Sequence, residues 1–389
     1  MTESVAVLGS TGSIGVQTLD ICRKLNIRVD ALSAGGNTDI LEKQIREFRP
    51  SFCGVADEKR GRELSVSVSD TGTKVIYGER AAREIASLSS ADTVVNAISG
   101  VAGLVPTLSV IRSGKRRIAL ANKESLVTCG ELVMKEAKRR DVEIIPVDSE
   151  HSAIFQCVDG REKYLDRLII TASGGPFFGK TREETAFVTP ESALSHPTWR
   201  MGRRITIDSA TMMNKGFEVI EAAWLFSVPV NRIDVTVHRQ SVVHSMASFI
   251  DGAVIAQLGV PDMRTCISYA LSYPARSDFG GERLDINKIG CLTFTEPDGK
   301  NFPLLPLARR AFEAGGTLPA SMNAADEVAV DLFLKGRIGF NSISDLVSEV
   351  TGSAGNNKIT SERDVIEADL AAREAALSLS SRKEYRPVK

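Results

Sequence analysis

The chain has 389 residues, more than one ordinary hydrophobic core contains, so two or three domains are expected. Its 48 basic residues nearly balance its 49 acidic ones, and no run of like charge indicates a face for nucleic acid or for a membrane, so the expected partners are small molecules. None of the six cysteines has the spacing of a zinc knuckle or a redox dithiol, and the stretch before the first predicted strand is too short for a leader peptide. Together these features favour a cytoplasmic protein with reduced thiols.

Up to about residue 148, short β-branched runs alternate with amphipathic helical segments. We predict strands at Val5–Leu8, Arg28–Ala34, Phe52–Ala56, Val75–Tyr77, Thr93–Ile98, Arg117–Leu120 and Val142–Val147. This alternation predicts a parallel sheet covered by helices, and hence an N-terminal domain of Rossmann type over residues 1–149.

The pattern changes near residue 150. Strands are predicted at Leu168–Thr171, Arg204–Ile207, Ile233–Val237, Ser241–Phe249 and Ala253–Leu258, with one strong helix from about Met212 to Phe226. These elements indicate a smaller central α+β domain over residues 150–275. A linker rich in Gly, Asp and Pro then covers 276–302, and helix-period apolar spacing predicts a C-terminal helical domain over 303–389.

A glycine loop follows the first strand directly. The sequence Gly9-Ser10-Thr11-Gly12-Ser13-Ile14-Gly15 stands between an apolar run and a helical segment, which is the context of a dinucleotide-binding turn. The alternative is a tight turn that needs glycine for steric reasons only. NAD sites usually carry an acid near the end of the second strand, and here that stretch is Ser33-Ala34-Gly35-Gly36-Asn37, so NADP is favoured.

Three carboxylates are candidate ligands for a hard divalent cation. Asp148 and Glu150 follow the apolar run 144–147, so a continuing strand would place both side chains on one face. Glu218 shares a helix face with Lys215, opposite the apolar stripe, and should point away from the core. The alternatives are a helix cap for Asp148 and a solvated ion pair for Glu218. Magnesium or manganese suits such oxygen ligands, and no His or Cys cluster in the sequence offers zinc a competing site.

Two segments are candidate phosphate sites. Ser209 precedes the helix that carries Asn214 and Lys215, and Ser173 follows a predicted strand within Ser173-Gly174-Gly175-Pro176. A helix cap and a simple turn are the respective alternatives. The segment from about Glu191 to Arg203 contains His196, Trp199, Met201 and Gly202 and is interpreted as a mobile lid, although a Trp and a Met are more often packing residues.

Four motifs together resemble the 1-deoxy-D-xylulose 5-phosphate reductoisomerases. They are the glycine loop, Ala121-Asn122-Lys123-Glu124-Ser125, Val147-Asp148-Ser149-Glu150-His151, and Asp208-Ser209-Ala210-Thr211-Met212-Met213-Asn214-Lys215-Gly216. The resemblance extends through Pro261-Asp262-Met263-Arg264 and Asn323-Ala324-Ala325-Asp326-Glu327, so it covers nearly the whole chain. It implies a homodimer that uses NADPH and magnesium, manganese or cobalt. The implied reaction converts 1-deoxy-D-xylulose 5-phosphate into 2-C-methyl-D-erythritol 4-phosphate in the non-mevalonate isoprenoid pathway.

The resemblance also implies residue roles. The metal ligands would be Asp148, Glu150 and Glu218, which together with Lys123 form the catalytic set. Substrate would contact Lys123, Ser149, Glu150, Ser173, His196, Ser209, Asn214, Lys215 and Glu218. Cofactor would contact Thr11, Gly12, Ser13, Ile14, Gly35, Gly36, Asn37, Asn122, Lys123, Glu124 and Gly202. The central domain would carry the metal site and the dimer contacts.

One departure bears on the cofactor. Many family members have a basic residue where this chain has Gly36, and that residue would neutralise the 2′-phosphate of NADP. Strict preference for NADP over NAD is therefore not established by the motifs.

The sequence alone is also compatible with two other functions. A dehydrogenase that reduces an existing carbonyl without rearrangement would share the glycine loop but would not need three acids. A nucleotide-sensing regulator would keep the fold and leave the metal and phosphate motifs unexplained.

Overall fold

The computed structural model describes residues 2–114, 117–195, 199 and 201–387. The chain forms two compact units, each made of residues that lie close to one another. The first unit comprises Met1–Ser125, Val133–Ser152 and Asp262–Glu282, and the second comprises Leu126–Leu132, Ala153–Pro261 and Arg283–Lys389.

The first unit is built on a seven-stranded parallel sheet, which confirms the predicted Rossmann-type architecture. Its strands are β1 (Ser4–Leu8), β2 (Arg28–Ala34), β3 (Phe52–Val55), β4 (Lys74–Tyr77), β5 (Thr93–Asn96), β6 (Arg117–Leu120) and β7 (Glu143–Pro146). The helices are α1 (Ser13–Leu25), α2 (Thr38–Phe48), α3 (Glu58–Ser67), α4 (Ala81–Leu88), α5 (Leu104–Arg112), α6 (Glu124–Arg140) and α7 (Ser149–Val158), and the last two have residues in both units.

The strand order of this sheet is β4-β3-β2-β1-β5-β6-β7. All five residues of β1 are buried, because helices cover both faces of a parallel sheet. The order changes direction between β1 and β5, and the crevice outside the carboxyl ends of strands at such a point is where doubly wound sheets bind ligands.

The second unit contains a four-stranded mixed sheet and most of the remaining helices. Its strands, in the order β11-β10-β8-β9, are β8 (Leu165–Ala172), β9 (Ile233–Val237), β10 (Val243–Phe249) and β11 (Val254–Leu258). The pair β8 and β9 is parallel, whereas β10 is antiparallel to both of its neighbours. The next helices are α8 (Pro190–Ala193), α9 (Arg203–Ala210), α10 (Met213–Leu225) and, in the first unit, α11 (Met263–Ser272).

The predicted helical C-terminal region is confirmed. It consists of α12 (Leu304–Ala314), α13 (Leu318–Leu334), α14 (Phe340–Ser353) and α15 (Glu362–Leu379). These helices pack into one apolar core with the mixed sheet, in which Phe340 makes edge-on contacts with Phe177 and Phe333 at ring-centroid distances of 5.0 and 5.7 Å.

One predicted strand, Arg204–Ile207, is wrong, because these residues lie in α9. The alternation of Arg, Ile, Thr and Ile suggests a half-buried strand, but the tertiary environment favours a helix. In the helix Arg204 faces α13, and its guanidinium donates to Glu327 Oε1 at 2.7 Å and to Asn323 Oδ1 at 3.2 Å. Packing on α13 thus decides the conformation of this segment.

Two acids also meet where α9 packs on α13. Asp326 is fully buried, and burial together with the neighbouring carboxyl of Asp208 raises the pKa of Asp326 well above its usual range. In the described part of the chain, no N–H or O–H group donates to either carboxyl oxygen of Asp326. The folded protein therefore holds the proton of this carboxyl more tightly than the unfolded chain does.

We expect Asp326→Asn to stabilise the protein more strongly as pH rises. A carboxyl whose pKa is raised on folding binds its proton more tightly in the folded state, so the wild type loses stability from the unfolded-state pKa of about 3.9 upward to the folded-state pKa. Across that window the advantage of the variant grows by up to about 1.4 kcal/mol per pH unit. Urea unfolding at pH 4, 6 and 8 measures it.

The control for this experiment is Asp331→Asn, because Asp331 lies on α13 but is exposed and pairs with Lys335. It should show no such trend. An advantage of Asp326→Asn that is the same at all three pH values would contradict the raised pKa of Asp326.

None of the helices formed by the described residues combines the length and the apolar character needed to cross a bilayer.

Candidate active site

The glycine loop lies between β1 and α1, at the point where the sheet order changes direction. Gly15 permits close packing of helix against strand, since a Cβ there would lie 2.3 Å from the carbonyl oxygen of Gly9. Ser10 fixes the loop from the protein side: its hydroxyl donates to Gln44 Oε1 at 2.8 Å, and its carbonyl oxygen accepts from Gln44 Nε2 at 2.9 Å. The loop is therefore held by side chains that face inward.

The outer part of the loop is open to a ligand. Gly12 and Ser13 are exposed, and Thr11 and Ile14 are half-buried. Within the described residues no side chain caps the first turn of α1. Its N–H groups can therefore meet an anion, with the helix dipole adding to the attraction. The geometry fits the pyrophosphate of a dinucleotide.

The turn after β2 lies at the same edge of the sheet. Gly35 and Asn37 are exposed, and the Asn37 carboxamide caps α2 by accepting from the backbone N–H of Ile40 at 3.3 Å. The guanidinium of Arg60 donates from Nη1 to the Gly36 carbonyl oxygen at 2.5 Å. Arg60 was not among the predicted cofactor contacts, because nothing in the sequence relates two residues that far apart.

The predicted cofactor segment 122–124 follows β6. Asn122 is buried, and its amide nitrogen donates to the carbonyl oxygens of Ile98 and Gly100 at 2.7 and 2.9 Å, so the side chain organises the loop. Glu124 accepts from the backbone N–H of Gly100 at 3.1 Å. The Lys123 ammonium is nearly buried and lies 3.0 Å from Asp148 Oδ2.

Asp148 is the centre of the first cluster. Its Oδ1 accepts from the backbone N–H of Glu150 at 3.1 Å and so caps α7, while its Oδ2 pairs with Lys123. A carboxylate oxygen of Asp148 lies within 4.8 Å of one of Glu150, and the Ser149 hydroxyl donates to Glu150 Oε2. Capping and ligand binding are thus not alternatives, because the two oxygens of Asp148 have different surroundings.

The reason given for this proximity from the sequence was wrong. β7 ends at Pro146 and α7 begins at Ser149, so Asp148 and Glu150 do not extend one face of a strand. They are close because Asp148 caps the helix whose first turn carries Glu150.

In the second unit, the two candidate phosphate segments come together. The loop after β8 contains Gly175 at φ +65°, where a Cβ would lie 2.8 Å from the Ser209 carbonyl oxygen. Only glycine permits this approach, which brings the Ser173 loop against the C-terminal end of α9. Ser173 and Ser209 are both half-buried, and the Ser173 hydroxyl accepts from the Gly175 N–H at 3.3 Å.

The helix α10 carries the remaining polar residues of this unit. Asn214 donates to Glu218 Oε1 at 2.6 Å, and the Lys215 ammonium donates to Glu218 Oε2. Lys215 is 4 % exposed and Glu218 is 1 % exposed. The alternative of a solvated ion pair with Lys215 is therefore wrong, because the pair is buried. Protein surrounds α10 on nearly all sides, and a paired lysine and glutamate can be enclosed where a lone charge could not.

Met212, which precedes α10, has a left-handed backbone with φ +64°. A non-glycine residue in this region costs free energy, and such conformations cluster at functional sites. Here the conformation turns the chain sharply from α9 into α10, so that Ser209 and Asn214 are separated by one tight turn.

The predicted lid falls partly outside the described residues. His196, a predicted substrate contact, lies outside them. Trp199 is described, and its ring lies 6.1 Å from that of His244. Met201 is half-buried and Gly202 is exposed, immediately before α9.

The predicted site residues therefore form two polar groups, each within one unit. The first places oxygen ligands for a hard cation beside the Lys123 ammonium, near the glycine loop's end of the sheet. The second joins hydroxyl, amide and ammonium donors suited to a phosphate with the carboxylate of Glu218.

Comparison with known families agrees with these features. Residues 5–130 match the profile of 1-deoxy-D-xylulose 5-phosphate reductoisomerase, and residues 144–226 and 258–375 match the profiles of two C-terminal domains of the same enzyme. The reductoisomerase of Acetivibrio thermocellus is 53% identical over 374 residues, which are 96% of this chain and 98% of the relative. That of Ruminiclostridium cellulolyticum is 49% identical over 97% of this chain and 100% of the relative.

Solved structures are similar over the same length. The Zymomonas mobilis reductoisomerase in complex with NADPH has a TM-score of 0.92 and 42% identity, covering 98% of this chain and 100% of that one. A reductoisomerase in complex with NADPH, fosmidomycin and magnesium has a TM-score of 0.91 and 38% identity, covering 97% of this chain and 98% of that one. The chain belongs to the 1-deoxy-D-xylulose 5-phosphate reductoisomerase family.

Proposed function

We propose that this chain converts 1-deoxy-D-xylulose 5-phosphate into 2-C-methyl-D-erythritol 4-phosphate, with NADPH as reductant and a divalent cation such as magnesium, manganese or cobalt. The reaction is a step of the non-mevalonate isoprenoid pathway. The observation that carries the proposal is full-length similarity to reductoisomerases, one of which was solved with NADPH, fosmidomycin and magnesium.

The cofactor would bind at the glycine loop. The uncapped first turn of α1 supports a pyrophosphate site formed by Thr11, Gly12, Ser13 and Ile14. The turn after β2, with Gly35, Gly36 and Asn37, suits the adenosine ribose. The nicotinamide end would lie toward Asn122, Lys123 and Glu124, and Gly202 is assigned to the cofactor by family resemblance. The hydride for the reduction would come from NADPH.

The cation would be held by Asp148, Glu150 and Glu218. Support comes from the chemistry of the donors, because carboxylates are hard oxygen ligands and two of them already lie within 4.8 Å of each other. A bound divalent cation would polarise the substrate ketone and orient it with the neighbouring hydroxyl group.

The phosphate end of the substrate would be bound by Ser173, Ser209, Asn214 and Lys215. The approach of the Ser173 loop to Ser209 and the single tight turn between Ser209 and Asn214 support this assignment. His196 joins the set by resemblance alone. Binding of the phosphate, remote from the reacting carbons, supplies free energy that can close the lid and exclude water.

Lys123, Ser149 and Glu150 would contact the carbon skeleton. By family resemblance Lys123 would assist proton transfer, and its ammonium, which donates to Asp148 Oδ2, is suited to act as the proton donor. The Ser149 hydroxyl, bonded to Glu150, would hold that carboxylate in one orientation.

We further propose a cytoplasmic homodimer with the domain limits 1–149, 150–275, 276–302 and 303–389. Dimerisation through the central domain is supported by β11, which is an edge strand of the mixed sheet as described and carries exposed Val254 and Ile255. Light scattering that finds single chains at micromolar concentration would exclude the dimer.

The function is tested by incubating the purified protein with 1-deoxy-D-xylulose 5-phosphate and NADPH. We expect NADPH oxidation with magnesium or manganese and none after exhaustive chelation, with activity restored by the metal. Activity unchanged by chelation would exclude the metal role.

Analysis of the product separates this function from simple carbonyl reduction. A branched carbon skeleton, detected by NMR, forms only if the carbon chain rearranges before reduction. An unbranched alcohol would favour a plain dehydrogenase, and cofactor binding without turnover would favour a nucleotide sensor.

A further inference from the structure

The adenosine end of the proposed cofactor site lacks the residue that usually decides between NAD and NADP. In Rossmann folds this choice is made beside the end of the second strand, where an acid bonds the ribose hydroxyls of NAD or an arginine accommodates the 2′-phosphate of NADP. Here β2 ends at Ala34, and the next three residues are Gly35, Gly36 and Asn37, none of which is charged. The deciding charge must therefore come from another element.

The structure brings that charge from α3. β3 pairs with β2, and α3 starts just after β3, so its first turn lies beside the turn that follows β2. Asp57 anchors it, because its backbone N–H donates to the Gly35 carbonyl oxygen at 2.9 Å and its Oδ1 accepts from the Arg60 N–H at 3.0 Å. The Arg60 guanidinium then donates to the Gly36 carbonyl oxygen at 2.5 Å.

The absence of a side chain at Gly36 suits this position of Arg60. A Cβ on Gly36 would lie 3.7 Å from Arg60 Cδ and 3.9 Å from its Nη1. The guanidinium thus lies close to where a side chain of residue 36 would begin. A cation supplied from residue 60 takes the place of one at residue 36.

Most of the Arg60 guanidinium remains available. Its side chain is 58% exposed, and among the described residues the carboxylate of Asp57 is its one ion-pair partner, at a loose 3.9 Å. The nearby Arg62 differs, because it forms a close pair with Glu58 at 2.5 Å. The guanidinium of Arg60 is therefore more available to bind a phosphate than that of Arg62, although both residues lie on α3.

We infer that Arg60 binds the 2′-phosphate of NADPH and makes this chain select NADPH over NADH. The inference rests on the proposed function for its cofactor. The planar guanidinium can donate two N–H groups to phosphate oxygens while Nη1 keeps its bond to Gly36. Asp57, the acid that could instead bind the ribose hydroxyls of NADH, is occupied in capping α3 and faces Arg60.

The test compares binding of NADPH and NADH without substrate or metal, using the fluorescence of the reduced nicotinamide. For Arg60→Ala we expect NADPH affinity to fall by about tenfold to a hundredfold, the value of a hydrogen-bonded charged contact, and NADH affinity to stay within about twofold. Arg60→Lys should retain part of the preference, because it keeps the charge and loses the planar fork. Arg62→Ala is the matched control and should change neither affinity.

Displacement by 2′-phosphorylated adenosine nucleotides gives a second readout that does not depend on the nicotinamide. Adenosine 2′,5′-bisphosphate should displace NADPH from the wild type better than adenosine 5′-monophosphate does. The two nucleotides should displace NADPH equally well from the Arg60→Ala variant. If Arg60→Ala lowers the affinities for NADPH and NADH equally, or lowers neither, the inference is overturned. In those cases turnover of the wild type with NADPH would still support the proposed function, whereas a wild type that binds no NADPH overturns both.

Discussion

Glu218→Gln is expected to lower kcat for 1-deoxy-D-xylulose 5-phosphate by about a thousandfold. A carboxylate ligand contributes directly to holding a Lewis-acidic cation, and the charge stabilisation that such a cation provides is worth several kcal/mol in the transition state. The amide keeps the shape of the side chain and an acceptor oxygen but loses the negative charge. The measurement is kcat at saturating NADPH and metal, expressed per folded molecule.

The same substitution should also cost stability. Glu218 is buried and bonded to the Lys215 ammonium, and breaking a buried ion pair by neutralising one partner costs about 3 kcal/mol. The two effects must therefore be separated, for which urea unfolding is run alongside the kinetics.

The matched control for Glu218 is Glu327→Gln. Glu327 is a mostly buried glutamate of the same unit that pairs with Arg204 and Arg373, and these arginines help to hold its pKa below the usual range, although burial opposes them. Replacing the Glu327 carboxylate by an amide should reduce stability but leave kcat per folded molecule within a few-fold of the wild-type value. If Glu218→Gln behaves in the same way, Glu218 is a structural residue and not a ligand.

Asp148→Asn should produce the second large loss, about a hundredfold to a thousandfold in kcat, with an increased metal requirement. The two oxygens of Asp148 make the substitution informative. The Asn oxygen can still accept from the Glu150 N–H and cap α7, but neutralising the partner of the nearly buried Lys123 should cost about 3 kcal/mol of stability. The charge that pairs with Lys123 and would bind the cation is lost.

Asp92→Asn serves as the control for Asp148. Asp92 lies in the same unit, and its carboxylate accepts from the backbone N–H groups of Glu3 and Ser4 at 3.0 Å. It should lose about 1 kcal/mol of stability without a change in kcat. Full activity of Asp148→Asn at low metal concentration would contradict the role of Asp148.

Local patterns in the sequence were sufficient for most of the fold. β-branched runs bounded by turns located the parallel strands, and β2 and β6 have the predicted limits. The glycine loop could be placed because its chemistry and its packing are both local: a strand, a turn and a helix in immediate succession. Helix-period spacing likewise predicted the helical C-terminal region, which consists of α12 to α15.

Features that depend on distant partners could not be predicted. α9 resembles a strand in sequence but is a helix that packs on α13, where Arg204 pairs with Glu327. Glu218 has the spacing of a solvated helix residue and is buried because protein surrounds α10 on nearly all sides. Arg60 reaches Gly36 because β3 pairs with β2, a contact that no local pattern reveals.

The central claim is that Asp148, Glu150 and Glu218 hold one cation, and titration with Mn²⁺ followed by electron paramagnetic resonance tests it most directly. We expect the wild type to bind one Mn²⁺ ion per chain at this site. Asp148→Asn and Glu218→Gln should each lower the affinity for that ion by at least about tenfold, with both variants folded. One ion bound with wild-type affinity by the folded Glu218→Gln variant would contradict the claim.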